Sequence, residues 1–451
     1  MRGIAKHGAD YAARRRWHQA LSEGRIPAGE AEDLPAELYE PHPLAKAREY
    51  AMFTANLNAA PDLEIVLPHV ILTSSGTVSS SEPAISRPRS LHLERGRPEI
   101  LTCSGDTITF QRTRISRRLV LPNRVMEALM LDAHPLASNH AEAQLLTIEQ
   151  VGQQLGRDGV LSHLTALVAR DPETGNERWR YEFGASECRI WACADLNDDS
   201  VPELLLGTYG YEHGITINDV SDQGYGYVFA FTLYGDLLWR WTCGPGHYLF
   251  TRLLVADLDN DSRPEVVAAC GSWRRDYGLL AILDGVTGRV RAVYPPTGPA
   301  CTAFTGLAVA DVNRDGQLQI CVAGSGACAQ VLVFQPGPGD QLTLLAQRDY
   351  PTAVREDFTN ADIAALNDLD HDGETELFVA LSSETRIDDD PYYYPSIMTD
   401  SRILILSPNL TERALIPLGS PPRQVILTNL GTSGRTGLLV LTDRLEYYEP
   451  R

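Results

Sequence analysis

Residues 195–203 read Asp-Leu-Asn-Asp-Asp-Ser-Val-Pro-Glu, with oxygen-bearing side chains at positions 1, 3, 5 and 9 of the stretch. In a tight loop the side chains of positions 1, 3 and 5 point inward together. The carbonyl of position 7 and the carboxylate of position 9 complete a shell of about six or seven oxygens, which suits a hard cation of calcium's size. The stretch returns at 257–265, 311–319 and 368–376. Each copy follows one short apolar run and precedes another, so the loops are set between strands. Up to four calcium ions are therefore expected, in a structural role, because a loop that fills the coordination sphere leaves no open position for a substrate.

Other chemistry is not indicated. The chain has no HExxH, GxSxG, P-loop or zinc-spaced His/Cys set, and no catalytic residue is assigned. A formal net charge of -20 disfavours binding to phosphate backbones. No apolar run reaches the ~20 residues of a membrane span. The start, Met1 to Gly8, has no apolar stretch after its basic residues, so no export signal is read and a cytoplasmic location is expected. The eight cysteines lack disulfide-like spacing, and several lie in strand-like runs, which suits reduced, buried thiols.

The elements that must hold these loops repeat with them. First positions fall at 195, 257, 311 and 368, at intervals of 62, 54 and 57 residues. A further frame at 429–437 has lost its carboxylates, and weaker frames fit 136–144 and 91–99, for seven copies. Between loops lies a strand, a tight turn and another strand, as in 168–180, 230–241 and 281–294, with Gly where positive φ is easiest. One unit is then strand, acidic loop, strand, longer connection, strand, turn, strand. Four antiparallel strands per ~40 to 60 residues is the pattern of a propeller blade. The expected fold is all-β, a seven-bladed β-propeller over 61–451 with a short N-terminal α-helical extension over 1–60. Helical spacing at Ala9 to Glu23 and Leu44 to Leu57 supports the extension. The last unit lacks its fourth strand, so a strand within 61–75 is expected to complete it and close the ring.

These loops resemble the FG-GAP/VCBS repeats of integrin-α-type β-propellers, whose pattern is Asp-x-Asp/Asn-x-Asp-Gly-x-x-Asp/Glu. The resemblance covers about residues 90 to 445. It implies calcium held between the two inner strands of a blade. The side-chain ligands would be Asp195, Asn197, Asp199 and Glu203; Asp257, Asp259, Asp261 and Glu265; Asp311, Asn313 and Asp315; and Asp368, Asp370, Asp372 and Glu376. Position 7 would give the carbonyls of Val201, Arg263, Gln317 and Glu374. Ser200 and Ser262 stand where the family has Gly, which makes the turn less easy. Gln319 replaces the last acid, so the third loop is expected to bind most weakly.

The connections that emerge opposite the acidic loops are aromatic. Candidate partner-binding residues are Tyr211, Tyr225, His247, Tyr248, Trp273, Arg274, Tyr277, Tyr392, Tyr393 and Tyr394, since Tyr, Trp and Arg dominate binding hot spots. The reading is a non-catalytic, calcium-stabilised scaffold or accessory subunit that docks a protein. A bacterial signalling or defence assembly is one setting for such a subunit. The alternatives are a carbohydrate-binding or polysaccharide-cleaving propeller resembling rhamnogalacturonan lyases, and a surface adhesion module.

Overall fold

The computed structural model describes the backbone from Phe53 to Tyr448 apart from connecting segments, the longest being 132–142 and 387–395, and side chains from Leu101 on with a few strand ends excepted. Described residues outside strands are turns, bends and extended links, and none is helical. Accordingly, among the described residues no helix is long and apolar enough to cross a membrane.

The strands fall into consecutive antiparallel units. Unit 1 holds β1 (Phe53–Ala55), β2 (Glu64–Leu67), β3 (Val70–Leu72) and β4 (Val78–Ser80). Unit 2 holds β5 (Pro88–Glu94), β6 (Arg97–Ser104), β7 (Thr107–Gln111) and β8 (Ile115–Val120). Unit 3 holds β9 (Arg124–Leu131), β10 (Gln144–Leu155), β11 (Leu161–Arg170) and β12 (Glu177–Phe183). Unit 4 has β13 (Ser186–Ala194) and β14 (Glu203–Gly210), then a small hairpin of β15 (Thr216–Ile217) and β16 (Val220–Ser221), then β17 (Tyr227–Phe231) and β18 (Leu237–Thr242).

Unit 5 comprises β19 (Leu249–Ala256), β20 (Glu265–Gly271), β21 (Leu279–Asp284) and β22 (Val290–Tyr294). Unit 6 comprises β23 (Cys301–Ala310), β24 (Gln319–Gly326), β25 (Cys328–Gly337) and β26 (Gln341–Pro351). Unit 7 comprises β27 (Asp357–Asn367), β28 (Glu376–Arg386), β29 (Ser396–Leu406) and β30 (Glu412–Pro417). Unit 8 has β31 (Gln424–Thr428), β32 (Gly437–Leu441) and β33 (Leu445–Tyr448).

The second strands β14, β20 and β24 and the third strand β17 are buried almost throughout, with apolar residues on both faces because both are covered. Along β14, Leu204 and Leu206 pack on unit 3, whereas Leu205 packs on unit 5. In β20, Val266, Ala268 and Cys270 face unit 4, and Val267 and Ala269 face unit 6. Ile320 and Val322 of β24 turn towards unit 5, and Cys321 and Ala323 towards unit 7. The core is thus a stack of layers between sheets, and the period of two decides which neighbour each side chain meets. Burial pushes the Cys321 thiol up to about 12 and that of Cys193 up to about 11, so these cysteines behave as small apolar residues.

The first strands of successive units lie side by side, β9 by β5, β13 by β9, β19 by β13, β23 by β19, β27 by β23 and β31 by β27. Gly306 of β23 permits the closest approach, since a Cβ there would lie 2.2 Å from the backbone nitrogen of Ile363 on β27. Across this row, Arg252 of β19 donates to Asp362 of β27 at 2.8 Å and to the carbonyl of Thr305 at 3.2 Å.

A second set of links crosses from the fourth strand of one unit to the turn between the third and fourth strands of the next. Arg117 of β8 donates to the Pro172 carbonyl at 3.0 Å. The indole of Trp179 on β12 donates to Leu233 O at 3.1 Å, and that of Trp239 on β18 to Gly285 O at 2.8 Å. Arg291 of β22 reaches Asp340 at 2.9 Å, and Arg348 of β26 reaches Leu410 O at 2.9 Å. The two tryptophans lie flat on turn glycines: Cβ atoms on Gly235 (φ +90°) and Gly288 (φ +66°) would stand 2.6 Å from the Trp179 and Trp239 rings.

Four expectations change. The described residues form eight antiparallel units where seven blades were expected, because 53–80 makes a four-stranded sheet of its own. Phe53–Ala55, read as part of a helix, is a strand in register with Glu64–Val66. The helical spacing was carried by Leu44, Ala47, Tyr50, Ala51 and Leu57, and extending it to Leu57 took in three residues that pair as a strand. The stretch 61–75, expected to complete the last unit, holds β2 and β3, which pair with each other and with β1 and β4. Lastly, the frame proposed at 91–99 is a tight hairpin with Glu94 opposite Arg97, so Pro98 and Glu99 lie within β6. Residues 1–52, including the expected helices, lie outside the described residues.

Candidate metal centre

The nine-residue frame is reproduced in backbone register. Ala194 pairs with Glu203, Ala256 with Glu265, Ala310 with Gln319 and Asn367 with Glu376, so position 9 is always the first residue of the second strand. Two of the three decayed copies obey the same rule: Gln144 opens β10 and Gly437 opens β32. Position 2 is an apolar anchor, and Leu196, Leu258 and Val312 are buried between units. Its amide points back into the loop and donates to the side chain of position 9: Leu196 N to Glu203, Leu258 N to Glu265, and Val312 N to Gln319, at 2.8, 2.8 and 2.7 Å.

Position 1 caps the turn. Asp195 accepts the amides of Asp199 and Ser200 at 3.2 and 2.7 Å, Asp257 those of Asp261 and Ser262 at 3.1 and 2.9 Å, and Asp311 those of Asp315 and Gly316 at 3.1 and 2.9 Å. Position 5 in turn accepts the amide of position 7, from Val201, Arg263 and Gln317. This winding needs positive φ at positions 4 and 6, found at Asp198 and Ser200, at Asn260 and Ser262, and at Arg314 and Gly316. Ser200 and Ser262 therefore take up the left-handed backbone in place of glycine, with φ of 65° and 68°. In the fourth loop, Asp368, Glu374 and Glu376 are described and Gly373 has φ 103°, while Asp370 and Asp372 lie outside the described residues.

The donor set converging on each loop is oxygen, which fits a hard cation such as calcium better than zinc. In the second loop, oxygens of Asp257, Asp259 and Glu265 lie within 4.8 Å of one another. Asp368 Oδ1 is buried with no hydrogen-bond partner among the described residues, an oxygen left for a further ligand. Burial pushes the Glu203 and Glu265 carboxyls up; the amides of Leu196 and Leu258 oppose this, as does Arg291 at Glu265, while neighbouring aspartates add to the rise.

The loops differ in what fills their centres. In the first, the Asn197 amide donates to Glu203 Oε1 at 3.1 Å. In the second, Arg291 donates to Glu265 and, at 2.7 Å, to Asp259. In the third, the Gln319 amide donates to Asp315 Oδ1 at 3.3 Å and to the Gln317 carbonyl at 2.9 Å, two of the expected ligands. Those bonds engage two loop oxygens with an amide of the same loop. Arg314 of the third loop also donates to Asp368 of the fourth, joining adjacent loops.

The expected partner-binding residues Tyr211, Tyr225, His247, Tyr248, Trp273, Arg274, Tyr277, Tyr392, Tyr393 and Tyr394 all lie outside the described residues. The inter-unit tethers and Arg291 were not anticipated. A signal existed for them: Trp179 and Trp239 each stand four residues after a turn glycine, Gly175 and Gly235, and Arg291 stands three after Gly288.

The described residues are thus an all-β succession of antiparallel units, four of which carry an acidic loop between their first two strands. No family model matches the chain. No curated protein matches it either. Among solved structures it is similar to BamB from Moraxella catarrhalis, at 13% identity and TM-score 0.47 over 87% of this chain and 96% of that one. A quinohemoprotein alcohol dehydrogenase from Comamonas testosteroni matches at 11% identity and TM-score 0.47, over 88% and 73%. BBS1N, in its complex with ARL6DN, matches at 13% and 0.44, over 89% and 92%.

Proposed function

We propose that this chain is a calcium-stabilised β-propeller that serves as a non-catalytic scaffold, docking a protein partner through the connections opposite its acidic loops. The observation that carries the reading is the recurrence of one loop backbone. Position 9 opens the second strand, position 1 caps the turn, and oxygens converge between them in successive units. This supports loops of the FG-GAP/VCBS kind, with calcium at Asp195 to Glu203, Asp257 to Glu265 and Asp368 to Glu376, and more weakly at the third. The carboxylates are engaged with their own loop amides, which favours a structural over a catalytic use.

The test is thermal unfolding of the full chain with calcium and with chelator, beside the double variant Asp257→Ala/Asp261→Ala. A ligand at a hundred times its Kd stabilises by about 2.7 kcal/mol. The wild type should melt higher with calcium, and the variant should lose part of that gain. Equal melting of the wild type in both buffers would remove the calcium reading. The scaffold reading is tested by affinity purification from the native host, where a stoichiometric protein partner is expected. Cleavage of pectic polymers by the purified chain would replace it with the lyase alternative.

A further inference from the structure

The fourth strand of each of units 3 to 7 carries a β-bulge at one position, leaving a single residue out of register beside the loop that joins the first two strands. That residue is Arg178 in β12, Leu238 in β18, Arg291 in β22, Leu345 in β26 and Arg413 in β30. Where it is arginine, it turns to the loop end of its own unit. Arg178 donates to the Ala143 carbonyl at 3.0 Å, one residue before position 9 of its decayed loop. Arg291 holds Glu265 and Asp259. Arg413 donates to Glu374 at 2.6 Å and stands 4.0 Å from Glu376. The two leucines are substantially exposed instead.

Among the four acidic loops, the choice at the bulge follows the charge of the loop; Arg178, beside the decayed loop of unit 3, meets a carbonyl instead. The first loop has Asn197 at position 3 and the third has Asn313, and their bulges are Leu238 and Leu345. In the second and fourth loops position 3 is an aspartate, Asp259 and Asp370, and their bulges are Arg291 and Arg413. The extra carboxylate and the guanidinium come together. We propose that the bulge residue sets the cation affinity of its unit's loop, and that Arg291 is a resident counter-ion which an incoming calcium ion must displace from Asp259 and Glu265. This rests on the calcium reading above.

Displacement has a route. Arg291 also holds Asp340 of the next unit through Nε at 2.9 Å, and the cleft between units 5 and 6 is lined by Asp259, Glu265, Arg291 and Asp340. The guanidinium can leave the loop and keep its tether. Its charge then remains nearby, so the loop binds as if it had one carboxylate fewer, which lowers affinity for a divalent ion.

Calorimetric titration of calcium into chelator-stripped full-length chain tests this. Arg291→Leu, which installs the residue found at the bulges beside the first and third loops, should tighten one site by roughly tenfold or more. The gain should vanish when Asp257→Ala/Asp261→Ala is added. Arg291→Gln, which keeps a donor for Asp340, should give a smaller gain and covers the case where the leucine variant fails to fold. The reciprocal Leu238→Arg should weaken the first loop. Binding by the wild type with no change in either Arg291 variant would overturn the proposal and leave the calcium reading standing. No calcium binding by any variant would remove both. Binding by Arg291→Leu alone would support the counter-ion in its strongest form.

Discussion

Gly288→Ala tests how units 4 and 5 are joined. Gly288 sits at φ +66°, where an alanine costs about 1–2 kcal/mol for its backbone alone. Its new Cβ would lie 2.6 Å from two atoms of the Trp239 ring, and that ring is buried and held by its bond to Gly285. Forcing a carbon into a filled site costs about 1–3 kcal/mol more, so the substitution should destabilise by about 2–5 kcal/mol. Trp239→Ala alone should cost about 3–5 kcal/mol. In the double variant the collision is gone and only the backbone cost remains. The two changes should therefore be non-additive by about 1–3 kcal/mol, with the double variant more stable than the sum. Urea unfolding followed by far-ultraviolet circular dichroism measures this, provided the denaturant slopes agree. Additivity within about 0.5 kcal/mol would show that the ring and the turn glycine do not meet, and the tether would fall with it. Gly235 and Trp179 share the geometry and should behave alike.

Further outcomes follow from unit 3. Arg170 grips Glu149 through two bonds of 2.6 and 2.8 Å, both side chains are buried, and Thr147 and Asn123 complete the carboxylate's partners. Glu149→Ala would strand a buried guanidinium and should cost about 3–5 kcal/mol in urea unfolding, whereas Glu173→Ala, at an exposed pair with Arg117, should cost under about 1 kcal/mol. Asp171 is held down to about 2, first by the amide and hydroxyl of Thr174 and then by Arg178 and the Glu173 amide. A carboxyl depressed in the folded state adds stability above its ordinary value of 3.8 and loses it as the pH falls towards about 2. Asp171→Ala should flatten that part of the stability–pH curve, and parallel curves for variant and wild type would contradict it.

The loops were legible because their requirements are local: oxygens at fixed offsets and apolar runs on either side are written in consecutive residues. The same reasoning carried through to Gln144 and Gly437, whose loops have lost their carboxylates yet keep the strand boundary. It failed at 91–99, where Pro98 and Glu99 matched the frame by type while Glu94 and Arg97 were already paired across a hairpin. It failed again at Phe53–Ala55, where a helix read from Leu44, Ala47, Tyr50, Ala51 and Leu57 was carried across three residues that pair as a strand. The tethers were invisible for another reason. Trp239 and Gly285 are 46 residues apart, and only the packing of one unit on the next brings the indole to that carbonyl.

The acidic loops and the tethers share one rim, because in a four-strand meander the first and third turns lie at the same end. The proposed calcium sites and inter-unit cohesion are therefore neighbours, and magnitudes decide which would govern the fold. A bound ion contributes a few kcal/mol. Each inter-unit layer buries many side chains at about 1.5–3 kcal/mol apiece, as where Phe183, Phe229 and Phe231 stack with Leu204 and Leu206. The layers win by a wide margin, so chelation should loosen the rim and leave the sheets standing. Hydrogen exchange should show this directly. Amides of Ser200, Asp261 and Ser262, each donating to a loop carboxylate, should exchange faster in chelator. Those in the middle of β14, β20 and β24, buried on both faces, should hold their rates. Uniform acceleration through all three strands would mean that the ions, and not the apolar layers, keep the units together.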